Sequence, residues 1–313
     1  MSAIQIEGLT KRFGAVSALD GLNLSVERGA IFGFLGPNGA GKTTAIRILT
    51  GLARPTGGRA IVAGSDVAAG GPGVARLIGH LPEEPTFYPW MTPREFVDHV
   101  ARLFGLPGAE RAKRVTELLD QVGLGPVAGR RIGGFSRGMR QRLGLAQALV
   151  NRPEVLFLDE PVSALDPAGR KEVLELIERL RGQCTVFMST HILADVERVC
   201  DTVAIVARGR LLTQGSREAL LERYAVPIFE LEIDPASTGP LAGWSESLRS
   251  LPWVESVAVE GAAVRVVVRD VAVAKRELLV GALAAGLTLT RYQLVRPSLE
   301  DVFLRLVGED GVR

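Results

Sequence analysis

Residues 30–44 read AIFGFLGPNGAGKTT. The first six are almost all apolar, the pattern of a strand buried on both faces, and they run straight into a glycine-rich loop. GPNGAGKTT matches GxxxxGK[ST] and stands where its chemistry requires, after a strand and before a helix. Glycines at 36, 39 and 41 allow backbone angles and a close approach that a Cβ would forbid, so successive N–H groups can wrap a phosphate. Gly36, Pro37, Asn38, Gly39, Ala40, Gly41, Lys42, Thr43 and Thr44 are therefore the candidate nucleotide-binding segment. Lys42 would hold the β and γ phosphates, Thr43 would offer its hydroxyl to Mg²⁺, and the following helix adds the positive end of its dipole. No NKxD base-reading motif is present, which argues against GTP.

Working outward, VLFLDEP at 155–161 sets four apolar residues before two carboxylates, a buried strand ending in exposed acids. Asp159 would hold Mg²⁺ through its water shell, and Glu160 could polarise the attacking water. IQIEGL and GLNLSV alternate apolar and polar residues, as half-buried antiparallel strands do. RLIGHL, CTVFMST and TVAIVA read as further core strands, with amphipathic helical patterns at 94–105, 109–122, 137–151, 167–181 and 192–200. Strands alternating with helices predict an α/β fold around a mostly parallel sheet. From about Tyr224 the order becomes βαββαβ plus a terminal helix, a small ferredoxin-like α+β domain.

A chain of 313 residues, 47% hydrophobic and 23% charged, has the composition of a globular protein with core enough for two domains. The formal net charge of +2 supplies no global field for nucleic acid, so nucleic acid is not an expected partner. Cys184 and Cys200 lack metal-ligand spacing and a disulfide framework, which fits a reduced cytoplasmic compartment. The most apolar window, from Leu278, falls short of the ~20 residues that span a bilayer, and MSAIQIEGLTKRFG lacks a signal-peptide core. No transmembrane segment is expected, and service to a membrane would run through another subunit.

GGFSRGMRQRLGLAQALV, 133–150, has no obvious catalytic residue, yet Ser136 is a natural N-cap and Gly138 leaves its N–H uncovered at a helix start. FSRGMRQR resembles the signature sequence of ATP-binding cassettes, commonly LSGGQ, and lies before the Asp-Glu strand as it does in that family. Arg137 replaces the second-position glycine and Met139 the glutamine, while Ser136 and Gly138 are retained. The resemblance covers about residues 3–220 and implies a P-loop NTPase cassette with an antiparallel β subdomain and a helical insert at about 84–150. It implies that the signature of one copy closes on the ATP held by another, so that a head-to-tail homodimer encloses two ATP molecules. Residue by residue it implies that Phe13 stacks on adenine, that Asp166 in VSALDP communicates across the dimer, and that His191 contacts the γ-phosphate. It also implies that Glu83 stands where the family has a glutamine that senses Mg²⁺ and water; Glu83 and the neighbouring Glu84 both fit a solvated loop as well.

RPSLEDVFLRLVG, 296–308, is similar to the end of ATPase subunits from bacterial exporters of drugs, antibiotics, sodium or lipids. Ser298 and Glu300 also fit an ordinary capped helix. The resulting expectation is a cassette at 1–223 and a small regulatory or dimer-stabilising domain at 224–313. The chain would be the ATPase subunit of an exporter, peripheral on the cytoplasmic face, coupled to a separate polytopic membrane subunit. A soluble non-transport ATPase of the same fold, acting on nucleic acid or ribosomes, is the alternative; those usually carry two cassettes, coiled-coil inserts or basic arms. Phe87, Tyr88 and Trp90, in the insert, read equally as a docking surface and as internal packing.

Overall fold

The computed structural model describes residues 2–69, 72–163, 165–224, 227–295 and 298–311, which leaves Met1, Ala164 and Arg296–Pro297 of the quoted stretches outside the described residues. The chain divides into two units, Met1–Arg217 and Glu218–Arg313.

In the first unit, β1 (Ser2–Phe13) and β2 (Val16–Glu27) pair antiparallel, and β1 also pairs β4 (Gly57–Val62), giving with β5 (Ser65–Asp66) a sheet ordered β2-β1-β4-β5. Alternate residues of β1 and β2 are buried, which is why both strands read as period two. The second sheet holds β3 (Ile31–Leu35), β6 (Ile78–Leu81), β7 (Val155–Asp159), β8 (Thr185–Thr190), β9 (Thr202–Ala207) and β10 (Arg210–Ser216) in the order β10-β9-β3-β8-β7-β6. All its pairings are parallel except β10 with β9. Every residue of β3, β7 and β8 is buried, as a parallel sheet covered on both faces demands. The Phe187 ring sits 5.3 Å from Phe32, 5.1 Å from Phe34 and 5.6 Å from Phe157, so one aromatic cluster locks the three central strands together.

The helices of the first unit are α1 (Lys42–Leu49), α2 (Pro72–Leu77), α3 (Pro93–Leu103), α4 (Gly108–Gln121), α5 (Arg137–Ala148), α6 (Pro167–Arg179) and α7 (Leu193–Val199), and α8 (Arg217–Tyr224) follows β10. The insert between β6 and β7 carries α3, α4 and α5. Its first helix starts with a reciprocal capping box between Thr92 and Glu95, with Pro93 preset for the first turn.

The second unit contains β11 (Ile228–Ile233), α9 (Leu241–Arg249), β12 (Val254–Glu260), β13 (Ala263–Val268), α10 (Val271–Ala284), β14 (Leu289–Val295) and α11 (Leu299–Gly311). Its sheet, ordered β12-β13-β11-β14, is antiparallel throughout, and with two helices in the βαββαβ order this is the ferredoxin-like arrangement. Phe229, Trp244, Val266 and Leu278 belong to its core. Leu278 is fully buried against this sheet unit, so the apolar window there is a core-facing helix. Ser298 does cap the last helix, but its reciprocal partner is Asp301 rather than Glu300: the Ser298 N–H donates to Asp301 Oδ2 at 2.8 Å. The Asp301 N–H donates back to Ser298 Oγ at 3.3 Å.

Candidate functional site

The strand order brings the carboxyl ends of β3, β8 and β7 side by side, which is where open α/β sheets bind ligands. From these ends issue the glycine-rich loop, Thr190–His191 and Asp159–Glu160. Together they line a cavity of about 290 Å³ whose wall includes Asn38, Gly39, Ala40, Gly41, Lys42, Thr43, Thr44, Glu83, Glu160 and His191.

Two glycines make the loop possible. A Cβ on Gly36 would stand 2.5 Å from the Val206 carbonyl oxygen, and one on Gly41 would stand 2.4 Å from that of Ala18. Gly41 also has φ 99°, outside the ordinary range of L residues, and it opens α1 with no side-chain cap. The first N–H groups of α1 thus face the cavity without a side chain competing for them.

Lys42 is 6% exposed, and its Nζ donates to the Gly36 carbonyl at 2.8 Å and the Pro37 carbonyl at 3.3 Å. The same Nζ lies 3.4 Å from Glu160 Oε1. The other Glu160 oxygen, Oε2, is 3.0 Å from His191 Nδ1. Glu160 is therefore a bridge between the loop lysine and the histidine, in a position only 6% exposed. Its backbone has φ 47°, a left-handed conformation uncommon for a side chain of this size. Ser189 secures that turn: the Glu160 N–H donates to the Ser189 carbonyl at 3.1 Å and toward its Oγ at 3.3 Å. Ser189 Oγ in turn donates to Asp159 Oδ1 at 2.5 Å, fixing the neighbouring carboxylate, which is 4% exposed.

The two insert acids part company. Glu83 lines the cavity, whereas Glu84 points away and meets Arg137 at 3.8 Å. Ser136, Gly138, Asp166 and Phe13 do not line the cavity. Ser136 Oγ accepts from the Met139 N–H at 3.3 Å and caps α5. A Cβ on Gly138 would find no atom nearer than Leu165 Cδ2 at 3.9 Å, so the space over this helix start is open. Asp166 precedes α6 and is exposed, and the Ser163 hydroxyl in the same segment is buried with no hydrogen-bond partner among the described residues. The Phe13 ring ends β1 half-exposed with Lys11 Nζ 4.9 Å above it, so it is not a core phenylalanine. Of the insert aromatics, Phe87 packs edge-on against Phe96 at 5.0 Å, while Tyr88 and Trp90 meet at a tilt with ring centroids 5.2 Å apart and remain exposed.

Sequence reasoning missed Ala18, which brings β2 to the cavity wall, and Ser189, which holds both acids. Ala18 carries no chemical signal. Ser189 could have been found from its place one residue before the end of a strand that leads to His191.

Comparison with known proteins agrees with this geometry. Residues 19–163 match the family described as ABC transporter, and residues 215–307 match the family described as ATP-binding protein DrrA1-3-like, C-terminal domain. The chain is 40% identical over 304 residues to the ABC transporter ATP-binding protein YxlF of Bacillus subtilis, covering 97% of this chain and 99% of that one. It is 37% identical over 312 residues to the daunorubicin resistance ATP-binding protein DrrA2 of Streptomyces coeruleorubidus, covering 98% and 95%. Among solved structures, the dimeric post-hydrolysis state of the ATP-binding cassette MJ0796 bound to ADP and Pi superposes with a TM-score of 0.62 at 25% identity, covering 68% of this chain and 98% of that one. These likenesses give no support to a non-transport ATPase. With a glycine-rich loop and a buried acid pair at one cavity, an open second helix start in the insert, and relatives aligned along nearly the whole chain, the chain belongs to the ATP-binding proteins of ABC transporters.

Proposed function

We propose that this chain is the motor subunit of an exporter, hydrolysing ATP in a head-to-tail homodimer at the cytoplasmic face of the membrane and driving a separate polytopic subunit. The observation that carries this reading is Glu160, buried at the cavity wall and held between Lys42 and His191. A carboxylate in that position can accept the proton of an attacking water, while His191 fixes its orientation through Oε2. Lys42 would exchange Glu160 for the β and γ phosphates, and the uncapped N–H groups of α1 would complete the cradle.

Thr43, Asp159 and Glu83 would hold Mg²⁺. Their hard oxygen donors suit an ion that takes few protein ligands and fills its shell from phosphate and water. Among the described residues no cluster of three or more His, Cys, Asp or Glu could hold a metal unaided, so the site would depend on phosphate oxygens. Bound there, the ion would offset charge on the phosphates.

Ser136 and Gly138 would complete the γ-phosphate site of the facing copy, with Asp166 and the unpartnered Ser163 hydroxyl in the same joint. Closing on ATP and opening after hydrolysis is then the energy available to move the membrane partner, set by the difference in affinity of the two states. Phe13 would stack on adenine. Exposed Tyr88 and Trp90 in the insert would meet the membrane subunit. No helix among the described residues is long and apolar enough to cross a membrane. The daunorubicin resistance of DrrA2 supports a drug or antibiotic as the exported class.

Two measurements test this together. Turnover per chain should rise with protein concentration, because each site needs a second copy; turnover independent of concentration in a monomeric preparation contradicts the shared site. Pull-down from detergent extract should retain a polytopic membrane protein, and consistent recovery of the chain alone contradicts the transport assignment.

A further inference from the structure

Helix α6 starts just after Asp166, and α7 starts two residues after His191. Arg170 and Asp195 join them, Arg170 Nε donating to Asp195 Oδ1 at 2.6 Å. Asp195 is 1% exposed, and its other oxygen is buried without a hydrogen-bond partner among the described residues. Burial pushes this carboxyl up from its usual range, Arg170 pulls it down, and the nearby charge of Glu160 pushes it up again.

A buried ion pair with an unsatisfied oxygen is a poor source of stability, since an apolar pair of the same shape often does as well or better. Other ties to α6, Arg142–Glu172 from α5 and Arg198–Glu175 from α7, lie nearer solvent and contribute little. The buried pair sits where position matters. Helix α7 has seven residues and no side-chain cap, too short to hold itself in place, and His191 stands at its head. The backbone N–H of Arg170 also closes the first turn of α6 onto the Asp166 carbonyl at 2.9 Å. The side-chain pair therefore ties the first turn of α6, just after Asp166, to the body of α7.

We propose that Arg170 and Asp195 are positioning residues for hydrolysis, holding α7 so that His191 stays on Glu160 and coupling that contact to the Asp166 segment. This rests on the hydrolytic role of Glu160 given above. Neither residue lines the phosphate cavity, so the effect falls on turnover and not on nucleotide affinity.

The test is steady-state ATP hydrolysis by the purified full chain, with Glu160→Gln as reference. Asp195→Ala and Arg170→Ala should each lower kcat by about 10-fold or more with KM within about twofold. Arg170→Lys keeps a charge and a donor and should recover part of the loss. The double variant Arg170→Met with Asp195→Leu replaces the pair by apolar bulk; it should melt close to the parent yet remain slow. A folded double variant turning over at the parental rate overturns the proposal, as does a loss confined to KM. Should the double variant fail to fold, Arg170→Ala decides: parental kcat overturns the proposal, and reduced kcat at unchanged melting temperature supports it. If Glu160→Gln leaves turnover intact, the hydrolytic reading has failed; if it abolishes turnover while Asp195→Ala does not reduce it, the pair alone has failed.

Discussion

Helices α1 and α5 both begin with glycine-containing loops, yet their first turns are built in opposite ways. At α1 the leading residue, Gly41, has a positive φ and offers no cap, and Lys42 behind it is buried within its own chain's cavity. At α5 the leading Ser136 caps its own helix, is exposed, and has open space above Gly138. An uncapped start enclosed by the chain is suited to a ligand that the chain holds alone; a satisfied start facing outward is suited to something another molecule presents. In the proposed dimer the two ends would divide one task between two copies, and that division can be attacked from either side.

The largest effect is expected on the inner side. Glu160→Gln keeps the shape but removes the proton acceptor, and should slow hydrolysis by roughly 10² or more, leaving an ATP-loaded dimer that accumulates on size-exclusion chromatography. Unchanged turnover removes Glu160 from the chemistry. Next comes Gly41→Ala, which forces a Cβ to within 2.4 Å of the Ala18 carbonyl at φ 99°. The strained backbone by itself costs about 1–3 kcal/mol, so nucleotide affinity and melting temperature should fall together. Gly138→Ala is the matched change on the outer side. Outside its own helix backbone and chain neighbours nothing lies nearer to the added Cβ than Leu165 Cδ2 at 3.9 Å, and alanine favours helix by about 1 kcal/mol. Stability should hold or rise while turnover drops, and loss of stability like that of Gly41→Ala would erase the distinction between the two ends. The smallest effect belongs to Ser136→Ala. Losing the cap should cost about 1 kcal/mol, measurable by denaturant melts, and weaken dimer closure with monomer nucleotide affinity unchanged. An equal loss of both would break the comparison.

The inner end was legible in the sequence because its constraints are local. An apolar run, three glycines at fixed spacing and a lysine are all read within fifteen residues, and β3, the loop and α1 follow. The α/β alternation and the βαββαβ order were legible for the same reason, since periodicity switches from strand to helix within short windows. What stayed hidden was made by pairing across the chain. Lys42 and Glu160 meet only because β3, β8 and β7 are neighbours, an order that no local pattern encodes. β5 is two residues long and β10 pairs antiparallel at the sheet edge among polar residues, so neither had a hydrophobic signature to find. The choice between Glu83 and Glu84 also waited on geometry, because both are exposed loop acids and differ only in direction. Arg170 and Asp195 lie in helical stretches with no local pattern to mark them, and only the fold encloses Asp195.

Lys42 and Glu160 face each other across 3.4 Å with 7% and 8% of their side chains accessible, so each already neutralises the other. A triphosphate entering the loop as proposed would have to win the ammonium group away from its resident counter-ion, and the more negative the arriving group, the more completely it would do so. In the proposed mechanism Glu160 would thereby stay idle until fuel itself displaces it, a safety catch released by the load it guards.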